Sequence, residues 1–420
     1  MQAWWFLHSL DRVSVIYLFW YTIIFEIPRY TIGTVIIIAA RVWARAPPPL
    51  KTDFKLSVIL AGHNEEKPLR PCIEGLAEQT ILADLGAIEV IVIDDGSTDR
   101  MSEVALQLQR EGMIDKVLRL GDRGGKSAAV NLGLSSSTGD IVVISDIDTT
   151  FDRSAFAEMM GYFADPRVGA VSGNIGVRNA HVSLITRHQA IEYAISISLG
   201  RSIQDVLGIL SIVSGAFGAF RRSAIEEVGG QDVEVGEDAD LTMKLRRAGW
   251  HIRFAPGAHA LTDVPETVSA LTAQRLRWDR GLITIWMRKF RGVFDPRQST
   301  FRLIDVAALA DVLGFQVLLA FIFPAYLIWL FVYYGDLATT IIGATIVGLM
   351  ILNLFAFISA VAVGIHTPFW LVLYLPLFTV LQLTIMRIIR MLAVLQELIF
   401  RSSYHDPYVP RRVMSQVEVI

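Results

Sequence analysis

LSVILAGHNEE (residues 56–66), EVIVIDDGS (89–97) and IVVISDID (141–148) share one pattern, an unbroken apolar run that ends in polar or acidic residues. Short continuous runs of Val, Ile and Leu without polar alternation fit strands covered on both faces. KVLRL (116–120) is a further candidate. The expected strands are therefore 56–61, 89–94, 116–120 and 141–145, with helix-length segments 65–79, 97–111 and 126–136 between them. This alternation predicts an α/β fold with a mainly parallel sheet and crossover helices. Open sheets of this kind bind ligands beyond the carboxyl ends of their strands, so the residues following each strand are the candidates for function.

All four ends are polar. Asn64, Glu65 and Glu66 follow the first strand, and Asp94, Asp95, Gly96 and Ser97 the second; Ser97 is expected to cap the next helix. Gly121-Asp-Arg-Gly-Gly-Lys126 follows the third, and Asp146 and Asp148 the fourth. Residues i and i+2 of an extended chain face the same way, so Asp146 and Asp148 can converge on one hard cation. Mg2+ or Mn2+ takes one or two carboxylates, with substrate phosphates and water completing the shell. Gly124-Gly125-Lys126 before a helix can cradle phosphate through backbone N–H groups and an ammonium. An ATPase phosphate loop is excluded, because Leu120 stands where its first glycine is required.

Two later segments extend the pattern. Gly236-Glu237-Asp238 opens a helical stretch, and a carboxylate there can serve as general base toward an acceptor hydroxyl. Gln274, Arg277 and Trp278 stand at i, i+3 and i+4 of another helix and share one face. Arginine pairs with phosphate oxygens, and an indole ring offers a flat platform for a sugar.

The surroundings are apolar. The 420 residues are 53% hydrophobic and carry a net charge of −3. Mean hydropathy is +0.47. That balance offers no basic surface for nucleic acid, and the single cysteine, Cys72, excludes an internal disulfide. Apolar residues concentrate in about 10–43 and 301–400, leaving about 52–300 with globular composition. Spanning ~30 Å of hydrocarbon takes about 20 helical residues; 13–40 suffices once, and 303–334, 338–364 and 368–386 are further candidates. Within the first, Glu26 and Arg29 are placed to pair. Arg41, Arg45, Lys51 and Lys55 put the following domain in the cytoplasm by the positive-inside tendency. The side of the C-terminus stays open, since three crossings place it outside while Arg387, Arg390, Arg401, Arg411 and Arg412 argue for inside. Residues 280–294 mix basic, aromatic and aliphatic side chains, as in a helix lying at a membrane surface. The expected division is 1–50 as an N-terminal transmembrane segment, 51–280 as the catalytic domain, 281–300 as an interfacial amphipathic helix, 301–400 as a C-terminal transmembrane region and 401–420 as a tail.

The ordered set Asp94-Asp95-Gly96, Asp146-x-Asp148, Gly236-Glu237-Asp238 and Gln274-x-x-Arg277-Trp278 resembles family 2 glycosyltransferases of the GT-A fold, closely over about 55–290. Within that family it is similar to the processive membrane synthases of cellulose, hyaluronan, chitin oligosaccharides and poly-N-acetylglucosamine. The resemblance implies a Rossmann-like GT-A domain in the cytosol, flanked by transmembrane helices in the cell's inner membrane. It further implies a donor-binding set of Asn64, Glu65, Asp94, Asp95, Lys126, Asp146, Gln274 and Arg277, with Asp95 on the uracil of a UDP-sugar and Gln274 and Arg277 on the pyrophosphate. Asp146 and Asp148 would hold Mg2+ or Mn2+, and Asp238 would be the catalytic base. Trp278, Ser214, Gly215, Phe217 and Glu237 would bind the acceptor. The implied reaction is inverting and processive, from UDP-glucose or UDP-N-acetylglucosamine to a β-linked polysaccharide that is then translocated. Partners would be the growing polysaccharide, the lipid bilayer and, among those considered, an accessory membrane subunit. No Phe-x-Val-Thr-x-Lys gating segment occurs in the C-terminal third, and the layout sits closer to the chito-oligosaccharide and poly-N-acetylglucosamine synthases than to cellulose synthase. Two other functions compete: single transfer of a sugar to a membrane lipid, and a non-enzymatic transporter or scaffold.

Overall fold

A computed structural model describes residues 6, 8–42, 54–298, 301–362, 367–406 and 408–415. Arg45 and Lys51 fall outside these, as do the side chains of Arg29 and Arg41.

The four expected strands form as β1 (Leu56–Gly62), β2 (Glu89–Asp94), β3 (Lys116–Arg119) and β4 (Ile141–Ser145). They join β5 (Thr150–Phe151), β6 (Val168–Val177), β7 (Phe217–Arg221) and β8 (His251–Thr262) in one sheet of order β3-β2-β1-β4-β7-β6-β8-β5. β3, β2, β1 and β4 run parallel, whereas β7 is antiparallel to both β4 and β6. The apolar runs are continuous because both faces are buried. Val58 and Leu60 enter one core with Leu69, Ile73 and Met101, while Ile59 and Ala61 enter the other with Ala129, Val130 and Leu241.

The helices on this sheet occupy Glu66–Ala77, Met101–Arg110 and Lys126–Ser136. The second starts at Met101, so Ser97 is no helix cap. Its hydroxyl accepts the Asn64 N–H at 2.9 Å inside the loop that follows β2.

Among the described residues, three helices are long and apolar enough to cross a membrane: Thr22–Ala40, Leu337–Ala362 and Phe369–Phe400. Leu303–Gly314 with Leu319–Tyr334, bent by 42°, makes a fourth candidate. The Phe369–Phe400 helix touches the α/β domain at both ends. Near its start Arg187 lies 4.8 Å from the Tyr374 ring and His188 packs on Phe378; near its end Arg288 pairs with Glu397 at 2.5 Å. The tail beyond it returns to the sheet edge, where Arg412 meets Asp122 at 2.5 Å. Residues 280–294, expected as a surface amphipathic helix, bury Leu282, Ile285 and Trp286 against Met243, Leu309 and Val312. Glu26, expected beside Arg29, is held by Arg387 at 2.9 Å and by the Tyr21 hydroxyl at 2.8 Å.

The domain is tied to the apolar helices by a buried ion pair. Arg246, 4% exposed, donates Nη2 at 2.7 Å and Nε at 3.0 Å to Asp305, 1% exposed. Removing one partner of such a pair strands a buried charge. Asp305→Ala is expected to destabilise the protein by about 3–5 kcal/mol in denaturant titrations of the detergent-solubilised chain, and Arg246→Met with Asp305→Leu by much less.

Candidate active site

Strand register assembles the site. β1 and β2 pair in register, so Gly62 and Asp94 end side by side, and β4 ends beside them at Ser145. Because β7 is antiparallel to β4, the segment leading into it arrives at the same edge, and the Asp146 N–H donates to Ala216 O at 3.4 Å. A cavity of about 860 Å³ opens there and is walled by Glu65, Asp95, Lys126, Asp146, Asp148 and Asp238, among others.

At its sheet edge, both oxygens of Asp95 are committed. Oδ1 accepts Gly124 N–H at 2.6 Å and Oδ2 accepts Gly125 N–H at 2.9 Å. Gly125 has φ +87°, a conformation that favours glycine, and closes the loop before the Lys126–Ser136 helix. Burial pushes the Asp95 carboxyl above the usual carboxylate range. Lys126 Nζ bridges to Asp146 at 2.5 Å, Gly215 O at 3.2 Å and Glu237 at 3.8 Å. Asp148 accepts from Thr262 Oγ1 at 3.3 Å. Its pKa is pushed up to about 6 by burial and by Asp146, and that of Glu65 to about 7 by burial and by Asp148 and Asp146.

This crowding of carboxylates suits a divalent cation. Among the described residues no group of three or more His, Cys, Asp or Glu is arranged to hold a metal ion. Two carboxylates are nevertheless what Mg2+ or Mn2+ needs when the donor phosphates complete the shell, and Asp146 and Asp148 fit that role.

Asp238 lies across the cavity at the start of the Glu237–Arg247 helix. Oδ1 accepts its neighbour Ala239 N–H at 2.8 Å and Oδ2 accepts Gly215 N–H at 3.5 Å. Glu237 beside it is 7% exposed, and burial raises its pKa. The Val268–Ile283 helix carries Gln274, Arg277 and Trp278 to the same cavity. Gln274 Oε1 is buried with no partner among the described residues, and Trp278 is 37% exposed.

Three sequence-predicted site residues are not in the cavity wall. Asn64 Oδ1 accepts Thr98 N–H at 2.8 Å and Asp99 N–H at 3.3 Å, which fixes the neighbouring loop. Asp94, fully buried, accepts Ser97 N–H at 2.7 Å and the Ser102 hydroxyl. Phe217, 0% exposed, packs on Phe151 and Phe156 beneath the site. The other predicted residues, Ser214 and Gly215 included, do line the cavity.

Sequence reasoning missed His63, Arg123, Arg201 and Tyr408. His63 Nδ1 lies 2.9 Å from Asp95 O. Tyr408, from the tail, stacks on Arg277 with its centroid 4.0 Å from the guanidinium carbon, while Arg123 donates to its carbonyl at 3.2 Å. The sequence signal was YVPRR (408–412), an aromatic and basic run lodged after the last apolar helix.

Residues 57–229 match the family model for glycosyl transferase family 2. They form a glycosyl transferase family 2 domain. Asp238, Gln274, Arg277 and Trp278 lie beyond that match. The chain is 29% identical over 269 residues to the poly-beta-1,6-N-acetyl-D-glucosamine synthase of Staphylococcus aureus (strain COL), covering 64% of each protein. It is 27% identical over the same length to the enzyme of that name from Staphylococcus epidermidis. A mannosyltransferase from Pyrobaculum calidifontis, solved with GDP-Man and Mn2+, superposes with a TM-score of 0.56 at 20% identity, over 89% of this chain and 96% of the other. That likeness supports the GT-A fold of the α/β domain.

The burial of Phe217 separates a core role from an acceptor role. Phe217→Ala is expected to cost about 3–5 kcal/mol of stability. Phe217→Leu, which keeps most of the volume, is expected to leave the KM for donor and acceptor unchanged in steady-state assays.

Proposed function

We propose that this chain is an inverting, processive glycosyltransferase that extends a β-linked polysaccharide from a UDP-sugar donor. The observation that carries the reading is the extent of the cavity. It joins the Asp95–Asp148 edge to Asp238 and Trp278 and continues between the apolar helices to Glu26, Asn353 and Gln382. Glu26 and Asn353 set polar groups in that arm beside Leu349 and Phe378, and polar groups inside a membrane suit a hydroxyl-rich chain better than the acyl tail of a lipid acceptor. The likeness to poly-N-acetylglucosamine synthases supports the same reading.

Mechanistically, Asp238 takes the proton from the acceptor hydroxyl as that oxygen attacks the anomeric carbon. The bond to the donor's diphosphate oxygen breaks, UDP leaves, and the configuration inverts. Lys126 and Arg277 supply positive charge to the departing diphosphate, and Trp278 floors the acceptor. Asp146 and Asp148 would hold Mg2+ or Mn2+, which would supply further neutralisation of that charge.

The same reading sets the membrane arrangement. The tail is tethered to the donor loop through Arg412 and Asp122, so both ends of the 303–400 region lie on the catalytic side. Two crossings, 303–334 and 337–362, satisfy that. Phe369–Phe400 then lies along the interface, with Ile388, Leu392, Leu395 and Ile399 exposed at i, i+4, i+7 and i+11. The catalytic domain faces the cytoplasm.

Two measurements test the proposal. Asp238→Asn is expected to lower polymer synthesis by about 10²–10⁴-fold while UDP-sugar binding, followed by calorimetry, persists; polymerisation at the wild-type rate would remove the base assignment. Cysteines introduced at Asp336 and Ser415 are expected to react with an impermeant thiol reagent from opposite faces of a sealed vesicle, Cys72 being fully buried. Labelling of both from one face would overturn the arrangement.

A further inference from the structure

Most cations in the cavity wall are matched by an anion. Lys126 meets Asp146, Arg275 meets Glu192 at 2.7 Å, Arg387 meets Glu26 at 2.9 Å and Arg390 meets Asp279 at 3.3 Å. Arg277 and Arg123 are engaged by Tyr408 on the donor side.

Arg201 differs. It lines the cavity from the Gly200–Leu207 helix, and among the described residues no carboxylate lies within 4.0 Å of its guanidinium. Among those residues its one hydrogen bond runs from Nη1 to Ser172 Oγ at 3.2 Å. That hydroxyl is saturated, because it also accepts Ser214 N–H at 3.3 Å and donates to Gly173 O at 3.2 Å. Ser172 therefore fixes the guanidinium beside Ser214-Gly215, whose Gly215 N–H donates to Asp238. The remaining donors of the fork are unspent.

A cation so placed is costly to the fold. Burial lowers the Arg201 pKa, opposed by the charge of Asp238. The helix does not need the side chain as an anchor. Asp205, on the same helix, holds Arg253 at 2.8 Å, and Ile203 packs closely on Gly33 of the Thr22–Ala40 helix.

We propose that Arg201 binds the acceptor, its free N–H donors gripping oxygens of the terminal sugar so that the attacking hydroxyl meets Asp238. The assignment rests on the polymer-synthase reading above. A sugar terminus presents several acceptor oxygens within the reach of one planar fork, and Ser172 links the guanidinium to Ser214 and, through Gly215, to Asp238, on the acceptor side of the site. Lys126 reaches the same segment through Gly215 O and serves the donor side.

The test uses the full-length protein in vesicles, with UDP release and label incorporation followed in parallel while a soluble oligosaccharide acceptor is titrated. Arg201→Gln is expected to raise the acceptor KM about tenfold, leave the donor KM unchanged and keep transfer of the sugar to water. Arg201→Lys, which retains the charge but loses the fork, is expected to fall between Gln and wild type. Should the Gln variant fail to fold, the Lys variant decides by the same split. Donor and acceptor KM moving together, or neither moving, overturns the assignment. Wild type that labels only lipid removes the polymer reading and this inference with it; polymer from wild type with unchanged Arg201 variants removes this inference alone.

Discussion

The two halves of the site meet at a contact where no side chain fits. A Cβ on Gly281 would lie 2.1 Å from Val235 O, so the Val268–Ile283 helix can seat against the 235–236 backbone only because that residue is glycine. On the far side of the contact Gly236, at φ +99°, turns the chain into the Glu237–Arg247 helix. One close approach thus sets the distance from Gln274, Arg277 and Trp278 to Glu237 and Asp238. The sheet sets the rest, since the strand ends fix Asp95, Asp146 and Asp148 on one edge. Sugar transfer needs both groups in one cavity, and the fold supplies them from segments some 40 to 180 residues apart in the chain.

Charge explains how this domain holds to its apolar helices. Arg246 with Asp305, Arg288 with Glu397 and Arg387 with Glu26 are all buried or nearly so. Each joins segments distant in sequence, and each would be poor if either partner faced hydrocarbon alone. Of these, the Arg387–Glu26 pair borders the cavity and places charged groups in its wall among the apolar helices.

Much of this was legible in the sequence, and what was not has a physical cause. The strands could be read because burial on both faces leaves continuous Val-Ile-Leu runs, as in Ile91, Val92 and Ile93. The strand-end rule then pointed to Glu65, Asp95, Lys126, Asp146 and Asp148, all of which line the cavity. It overreached at Asn64 and Asp94, because short polar side chains at a strand end serve the local loop as readily as a ligand. Phe217 was misplaced for a related reason: alternation along β7 turns it into the core, one residue past the segment that does face the cavity. Arg201 left no local signal, because its position depends on how its helix seats beside Ser172, and the YVPRR run that holds Tyr408 gave no hint that the tail folds back over Arg123. The pairing of Glu26 with Arg387 crosses 361 residues and leaves no local signal.

The most direct test of the central claim is product analysis. Purified protein in vesicles with Mg2+ or Mn2+ would be given radiolabelled UDP-glucose and, separately, UDP-N-acetylglucosamine, and the label followed into polymer and into lipid extract. The account predicts label in a long chain that a β-specific glycosidase degrades. Label confined to the organic phase would contradict it, and would leave the polar membrane arm of the cavity without a polymer to carry.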